Sequence, residues 1–131
     1  MRRWNGWGDD GITHGLPAGG SAAIERVLGQ ATPPRDARLA DVLARVPASR
    51  LPRHRLVVDD AEVRVRHARG QSLPDWVALR TGRLDALPDG VAFPNDAAEV
   101  REILAWAGAV GARVVPYGGG TSVVGGFVVL R

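Results

Sequence analysis

Pro116-Tyr117-Gly118-Gly119-Gly120-Thr121-Ser122-Val123-Val124-Gly125-Gly126 decides how this chain is read. It follows Val114-Val115, a β-branched pair expected to start a buried strand. Three consecutive glycines permit φ > 0 and a close approach to the backbone. Successive N–H groups in such a loop can converge into a nest that accepts an anion. Thr121 and Ser122 set hydroxyls beside the nest, and Pro116 fixes φ on entry. These are the requirements for gripping a diphosphate without cationic side chains. Two commoner phosphate loops fit less well. Gly118-x-Gly120 opens a dinucleotide fingerprint, but Val123 stands where its third glycine belongs. Aligned as a P-loop on Gly120 and Gly125, the stretch has Gly126 in place of the lysine. Both motifs also need a helix directly after the loop, whereas β-branched residues and glycines follow here. A structural glycine-rich turn accounts for the same residues and stays open at this level.

Working outward, Val91-Ala92-Phe93 is expected as a short strand ending at Pro94. Asp96 and Glu99 form a D-x-x-E capping pattern for a helix to about Ala109, with Val100, Ile103, Leu104 and Ala107 as its core stripe and Gly111 as its stop. With Val114-Val115, this predicts a βαβ-like unit with parallel strands. Phe127 to Leu130 is expected as a further strand.

Upstream signals are mostly helical, after a glycine-rich arm of about twenty residues without apolar periodicity. A short helix is expected from Ser21, as N-cap, to Leu28. A second, capped by Thr32 with Pro33 in its first turn, carries Leu39, Val42, Leu43 and Val46 at i, i+3, i+4, i+7 and stops before Pro47. Residues 59–67 fit a short helix, although Val63 and Val65 alternate like a strand. Ser72 and Asp75 resemble a capping box for a helix holding Trp76, Val77 and Leu79, closed by Thr81-Gly82. The expected fold class is α/β (α+β), with a helical part over 1–83 and a strand–helix part over 84–131.

Composition removes whole classes of chemistry. The 131 residues are 45% hydrophobic, enough for one folded domain rather than a disordered chain. With no cysteine, disulfide scaffolds, thiolate metal sites and thiol nucleophiles are excluded. All 17 basic residues are arginine, which removes Schiff-base lysines as well. The net charge is only +3 and no nucleic-acid module accompanies it, so no nucleic-acid partner is expected. No apolar run is long enough for a transmembrane segment, and no apolar stretch follows Arg2-Arg3 as a twin-arginine signal would need. A cytoplasmic location is the default expectation.

Individual side chains add little catalytic signal. His14, His54 and His67 lack metal-ligand spacing, so no metal is expected, and no Ser/His/Asp triad has the context it needs. His67 is expected to pack or hydrogen-bond between the arm and the strand–helix part. Arg50, Arg53, Arg55, Arg64, Arg66 and Arg69 suit a phosphorylated ligand, but a solvated face paired with Asp59, Asp60 and Glu62 is preferred. Trp4 and Trp7 have no local apolar partners and are expected as anchors onto further polypeptide, with Trp76 and Trp106 as core or rim residues.

Taken in order, Pro88-Asp89-Gly90-Val91-Ala92-Phe93-Pro94, the helix start from Asp96 to Val100, and Pro116 to Gly126 resemble the entry to the flavin domain of vanillyl-alcohol-oxidase-type, PCMH-type FAD-linked oxidases. Arg3-Trp4-Asn5-Gly6-Trp7-Gly8-Asp9 and Arg66-His67-Ala68-Arg69-Gly70-Gln71-Ser72 are similar to the amino-terminal region of the alkylglycerone-phosphate-synthase-like branch. The resemblance implies that residues 84–131 begin an FAD-binding domain. It implies that Tyr117, Gly118, Gly119, Gly120, Thr121 and Ser122 hold the cofactor's pyrophosphate. Some relatives attach flavin through a histidine in this loop; none is present here, so non-covalent FAD is expected. The resemblance also implies a truncated or split protein whose catalytic residues lie beyond Arg131, acting on a phosphorylated or hydroxy-acid small molecule and inactive without a complementing polypeptide. The alternative is a non-catalytic module that binds a nucleotide pyrophosphate or a partner chain.

Overall fold

The computed structural model describes residues 2–32 and 35–122. Five helices and two short strands follow in the order α1 (Gly20–Leu28), α2 (Leu39–Leu43), β1 (Val57–Val58), α3 (Ala61–Arg66), α4 (Leu73–Thr81), β2 (Val91–Ala92) and α5 (Ala97–Val110). The strands pair antiparallel, Val57 opposite Ala92 and Val58 opposite Val91. The pair joins chain segments on either side of residue 83.

Capping chemistry explains the best-defined helices. Ser72 caps α4: its Oγ accepts from the Asp75 amide and donates to Asp75 Oδ2 at 2.6 Å, while the Ser72 amide donates back to the same carboxylate. Asp75 is buried by this exchange. Gly82, in the left-handed region, closes the helix. Asp96 opens α5 by accepting from the amides of Ala98 and Glu99. Glu99 reaches back one residue further than a capping box requires, to the Asn95 amide and side chain. Asp60 caps α3 by accepting from Val63 N.

The core is small: Val42, Val65, Ala68, Leu79, Ile103 and Ala107. Arg64 is buried with them, 2% exposed. Its Nε donates to the Pro88 carbonyl and its Nη1 to the Pro47 carbonyl, both at 2.7 Å, so one guanidinium ties α3 to the chain before each neighbouring element. On the other side, α2 meets the end of α4 through Ala37 N to Arg80 O, Arg45 Nη2 to Gly82 O and the Asp36–Arg80 ion pair.

Several local expectations change. Helix α2 is five residues, with Arg38 as N-cap; Thr32 does not cap it, Val46 follows it only as a turn, and Pro33 lies outside the described residues. Helix α1 begins at Gly20, so Ser21 lies within the helix, and Gly19 replaces it as the N-cap. Of the expected α5 stripe only Ile103 and Ala107 are buried, with Val100 and Leu104 exposed. The strand of Val91-Ala92 pairs antiparallel with Val57-Val58, a strand the sequence did not suggest. Val114-Val115 has no strand pairing among the described residues. The expected strand from Phe127 to Leu130 lies outside them. Among the described residues, no helix is long and apolar enough to cross a membrane.

Candidate functional site

The loop from Pro116 to Ser122 lies against the segment that links α3 to α4. Tyr117 is its anchor. Its ring meets His67 edge-on, centroids 4.9 Å apart, and its hydroxyl donates to the Arg69 carbonyl at 3.4 Å. His67 is fixed in turn by Nδ1 on the Val63 carbonyl at 2.7 Å and by an edge-on contact with Phe93. This is the expected packing role for His67, between the helical part and the β2 segment. Burial raises the Tyr117 phenol above its ordinary pKa, with Arg2 opposing the rise and Asp75 adding to it. The hydroxyl therefore remains a proton donor at neutral pH.

Behind the loop, Gly70 is buried. A Cβ there would stand 2.2 Å from Ser122 Cβ and 3.1 Å from Asp75 Oδ2. Only glycine lets the end of the loop settle this close to the start of α4. Ser122 itself has φ 46°, in a region that L residues seldom occupy.

The three loop glycines are not equivalent. Gly120 has φ +68°, and a Cβ would meet Tyr117 Oη at 2.2 Å, so both conformation and space require glycine. Gly118 and Gly119 have neither reason. Their φ is not positive, Gly118 has nothing within 4 Å of a built Cβ, and Gly119 has only Thr121 Cγ2 at 3.9 Å. The amides of Gly118, Gly119, Gly120 and Thr121 make no hydrogen bond within the described residues. These donors are unused within the described residues, and Gly119 and Thr121 border an open space. Val123 to Gly126, the rest of the motif, lie outside the described residues.

The amino-terminal arm faces the same space, which the sequence alone did not reveal. Arg2 bridges antiparallel to Asp9, Arg3 N donates to Gly8 O, and the Arg3 side chain reaches the carbonyls of Asp9 and Ile12. Arg66 Nη1 holds the Arg2 carbonyl at 2.9 Å. Trp7, expected to dock elsewhere, packs edge-on against Trp76 with centroids 5.9 Å apart, and Trp76 Nε1 donates to Gln71 Oε1. A small open pocket of about 190 Å³ lies between arm and loop. The sequence singled out both stretches by resemblance but could not place Gly70 or the arm at this site, because both act through contacts more than fifty residues away.

The arginine-rich stretch is mostly paired, with partners other than those expected. Arg50 pairs with Asp89, Arg55 with Glu99 and Glu102, and Arg69 with Asp85; only Arg66 with Glu62 matches the expectation. Arg64 is in the core. Among the described residues no group of His, Asp and Glu could hold a metal ion.

Residues 88–130 match the FAD binding domain family. The alkyldihydroxyacetonephosphate synthases of Trypanosoma brucei brucei and Caenorhabditis elegans are 39% and 34% identical to the chain over 67 and 65 residues, about half of it. The chain spans only 11% of each of these relatives. A solved alkyldihydroxyacetonephosphate synthase structure superposes with a TM-score of 0.70 over 99% of this chain and 30% of its own, at 21% identity, which establishes the fold. The chain is therefore alkylglycerone-phosphate-synthase-like in sequence and fold, with PCMH-type FAD-binding sequence over residues 88–130.

Proposed function

We propose that the loop from Tyr117 to Ser122 binds the diphosphate bridge of FAD through main-chain amides. The observation that carries this reading is the pair Gly118 and Gly119. No torsion angle and no neighbour in the chain requires glycine there, and their amides are free. A ligand lying directly against the backbone accounts for both facts, because any side chain would hold it away. Thr121 supplies a hydroxyl at the edge of the row, and Tyr117 sets the loop's direction by its bond to Arg69.

The cofactor is held without a covalent link, since the chain has no cysteine and the loop no histidine. FAD supplies a ring that can accept and return a hydride or electron pair. The chain's own residues contribute binding and orientation of the diphosphate. Similarity to the synthases favours a reaction of their kind, exchange of an acyl group for a fatty alcohol on a dihydroxyacetone-phosphate ester, over oxidation of a hydroxy acid or alcohol. Turnover by these 131 residues alone is not expected.

Gly119→Val tests the loop. Its nearest contact is 3.9 Å away, so the substitution leaves the chain's own packing intact while blocking the amides. In the full-length protein, flavin titration should show loss of FAD with an unchanged apo fold. Undiminished FAD affinity would remove the claim.

A further inference from the structure

The pocket between arm and loop is lined by Arg2, Trp7, Gly8, Gln71, Gly119 and Thr121. One side is Gly119 and Thr121, whose amides make no hydrogen bond within the described residues. The other is a hairpin built with some care: the Arg2–Asp9 bridge closes it, the Arg3 side chain spans it, and Arg66 grips the Arg2 carbonyl. The backbone of Arg2 is therefore fixed, yet its side chain is exposed and has no carboxylate partner among the described residues. Six other arginines, at 38, 50, 55, 66, 69 and 80, are paired with acids. Trp7, on Trp76, presents an aromatic wall beside Gly119.

Neutral amides hydrogen-bond a diphosphate without neutralising its charge. A guanidinium at the rim does both, with a planar fork suited to phosphate oxygens. We infer that the amino-terminal hairpin is the second wall of the cofactor site, with the Arg2 guanidinium facing the phosphates and Trp7 closing the pocket beside them. This rests on the loop reading above. It assigns the arm a ligand-binding role, where the sequence suggested only a docking one.

The test uses the full-length protein with three variants, Arg2→Gln, Arg2→Lys and Gly119→Val, each titrated with FAD and with riboflavin, which has no phosphate. Arg2→Gln should weaken FAD at least about tenfold, the scale of one lost charge-assisted hydrogen bond. It should leave riboflavin unchanged and flatten the salt dependence of FAD affinity. Arg2→Lys should recover part of the loss. If Gly119→Val abolishes FAD binding while Arg2→Gln does not alter it, the arm's role is overturned and the loop's stands. If Gly119→Val binds FAD normally, the loop reading itself fails. Equal weakening of riboflavin would show that Arg2 does not face phosphate, and would overturn the inference. Should Arg2→Gln lower the melting temperature of the apo protein, the wild-type salt profile decides: a flat one overturns the proposal, and a steep one supports it.

Discussion

Gly70→Ala offers a sharp test of how the loop is held. The new methyl would lie 2.2 Å from Ser122 Cβ, 2.9 Å from Ser122 Oγ and 3.1 Å from Asp75 Oδ2. Real carbon contacts at the first distance do not occur, so Ser122 must move by more than an ångström or α4 must retreat. Asp75 is locked in the capping box of α4, which leaves the loop as the element that yields. Overpacking of this kind costs about 1–3 kcal/mol. With an unfolding entropy of about 2.1 cal/mol/K per residue over 131 residues, a two-state melt should drop by about 4–11 °C. FAD affinity should fall as well, by about tenfold or more, because displaced amides no longer converge. The double variant Gly70→Ala/Ser122→Gly separates this from generic damage. Removing the Ser122 side chain clears the two shortest contacts, and glycine accepts φ 46° readily. The two substitutions should couple favourably by about 1–3 kcal/mol, and flavin binding should return. Calorimetry of the apo forms and flavin titration of all four proteins read both effects. A wild-type melt and wild-type FAD affinity in Gly70→Ala would refute the packing argument. Absence of coupling would refute the identification of Ser122 as the yielding partner.

Three further outcomes follow from the scaffold. Ser72→Ala removes both hydrogen bonds of the Ser72 hydroxyl, leaves only the amide-to-Asp75 half of the box, and should destabilise α4 by about 1 kcal/mol, toward 2 because Asp75 is buried; urea unfolding checks it. Arg64→Ala loses two charge-assisted hydrogen bonds and leaves a cavity, which should cost about 2–4 kcal/mol by the same assay. Hydrogen bonding from Arg50 lowers the Asp89 pKa on folding. Its contribution is thus fully present above the unfolded value of about 3.9 and lost as pH falls through the lower folded value. Asp89→Asn should therefore reduce stability at pH 6 and shrink the loss between about pH 5 and pH 2, and an unchanged acid limb would contradict the pairing.

Sequence and structure agree where the determinant is local. The Ser72–Asp75 box and the Asp96 cap are decided within four residues, and both form. The run of glycines at 118–120 was legible for the same reason. Pairing of Val57-Val58 with Val91-Ala92 was not, since two β-branched residues carry no sign of which distant pair they will meet. The long helix expected from Thr32 fails because no apolar residue with helical spacing precedes Leu39, and the chain there is drawn to the end of α4 by Ala37 and Asp36. Val100 and Leu104 obey the apolar period yet stay exposed, so period alone does not show that a face is covered. At the candidate site, Tyr117 to Ser122 are the residues the sequence itself proposes. Gly70, Gln71 and Arg2 depend on tertiary contacts and could not be assigned there by residue type.

Electron density for the FAD-loaded full-length protein tests the central claim most directly. The diphosphate oxygens should lie within hydrogen-bond distance of the amides between Gly118 and Ser122. Density placing that bridge on any other element, with those amides facing solvent, would contradict it.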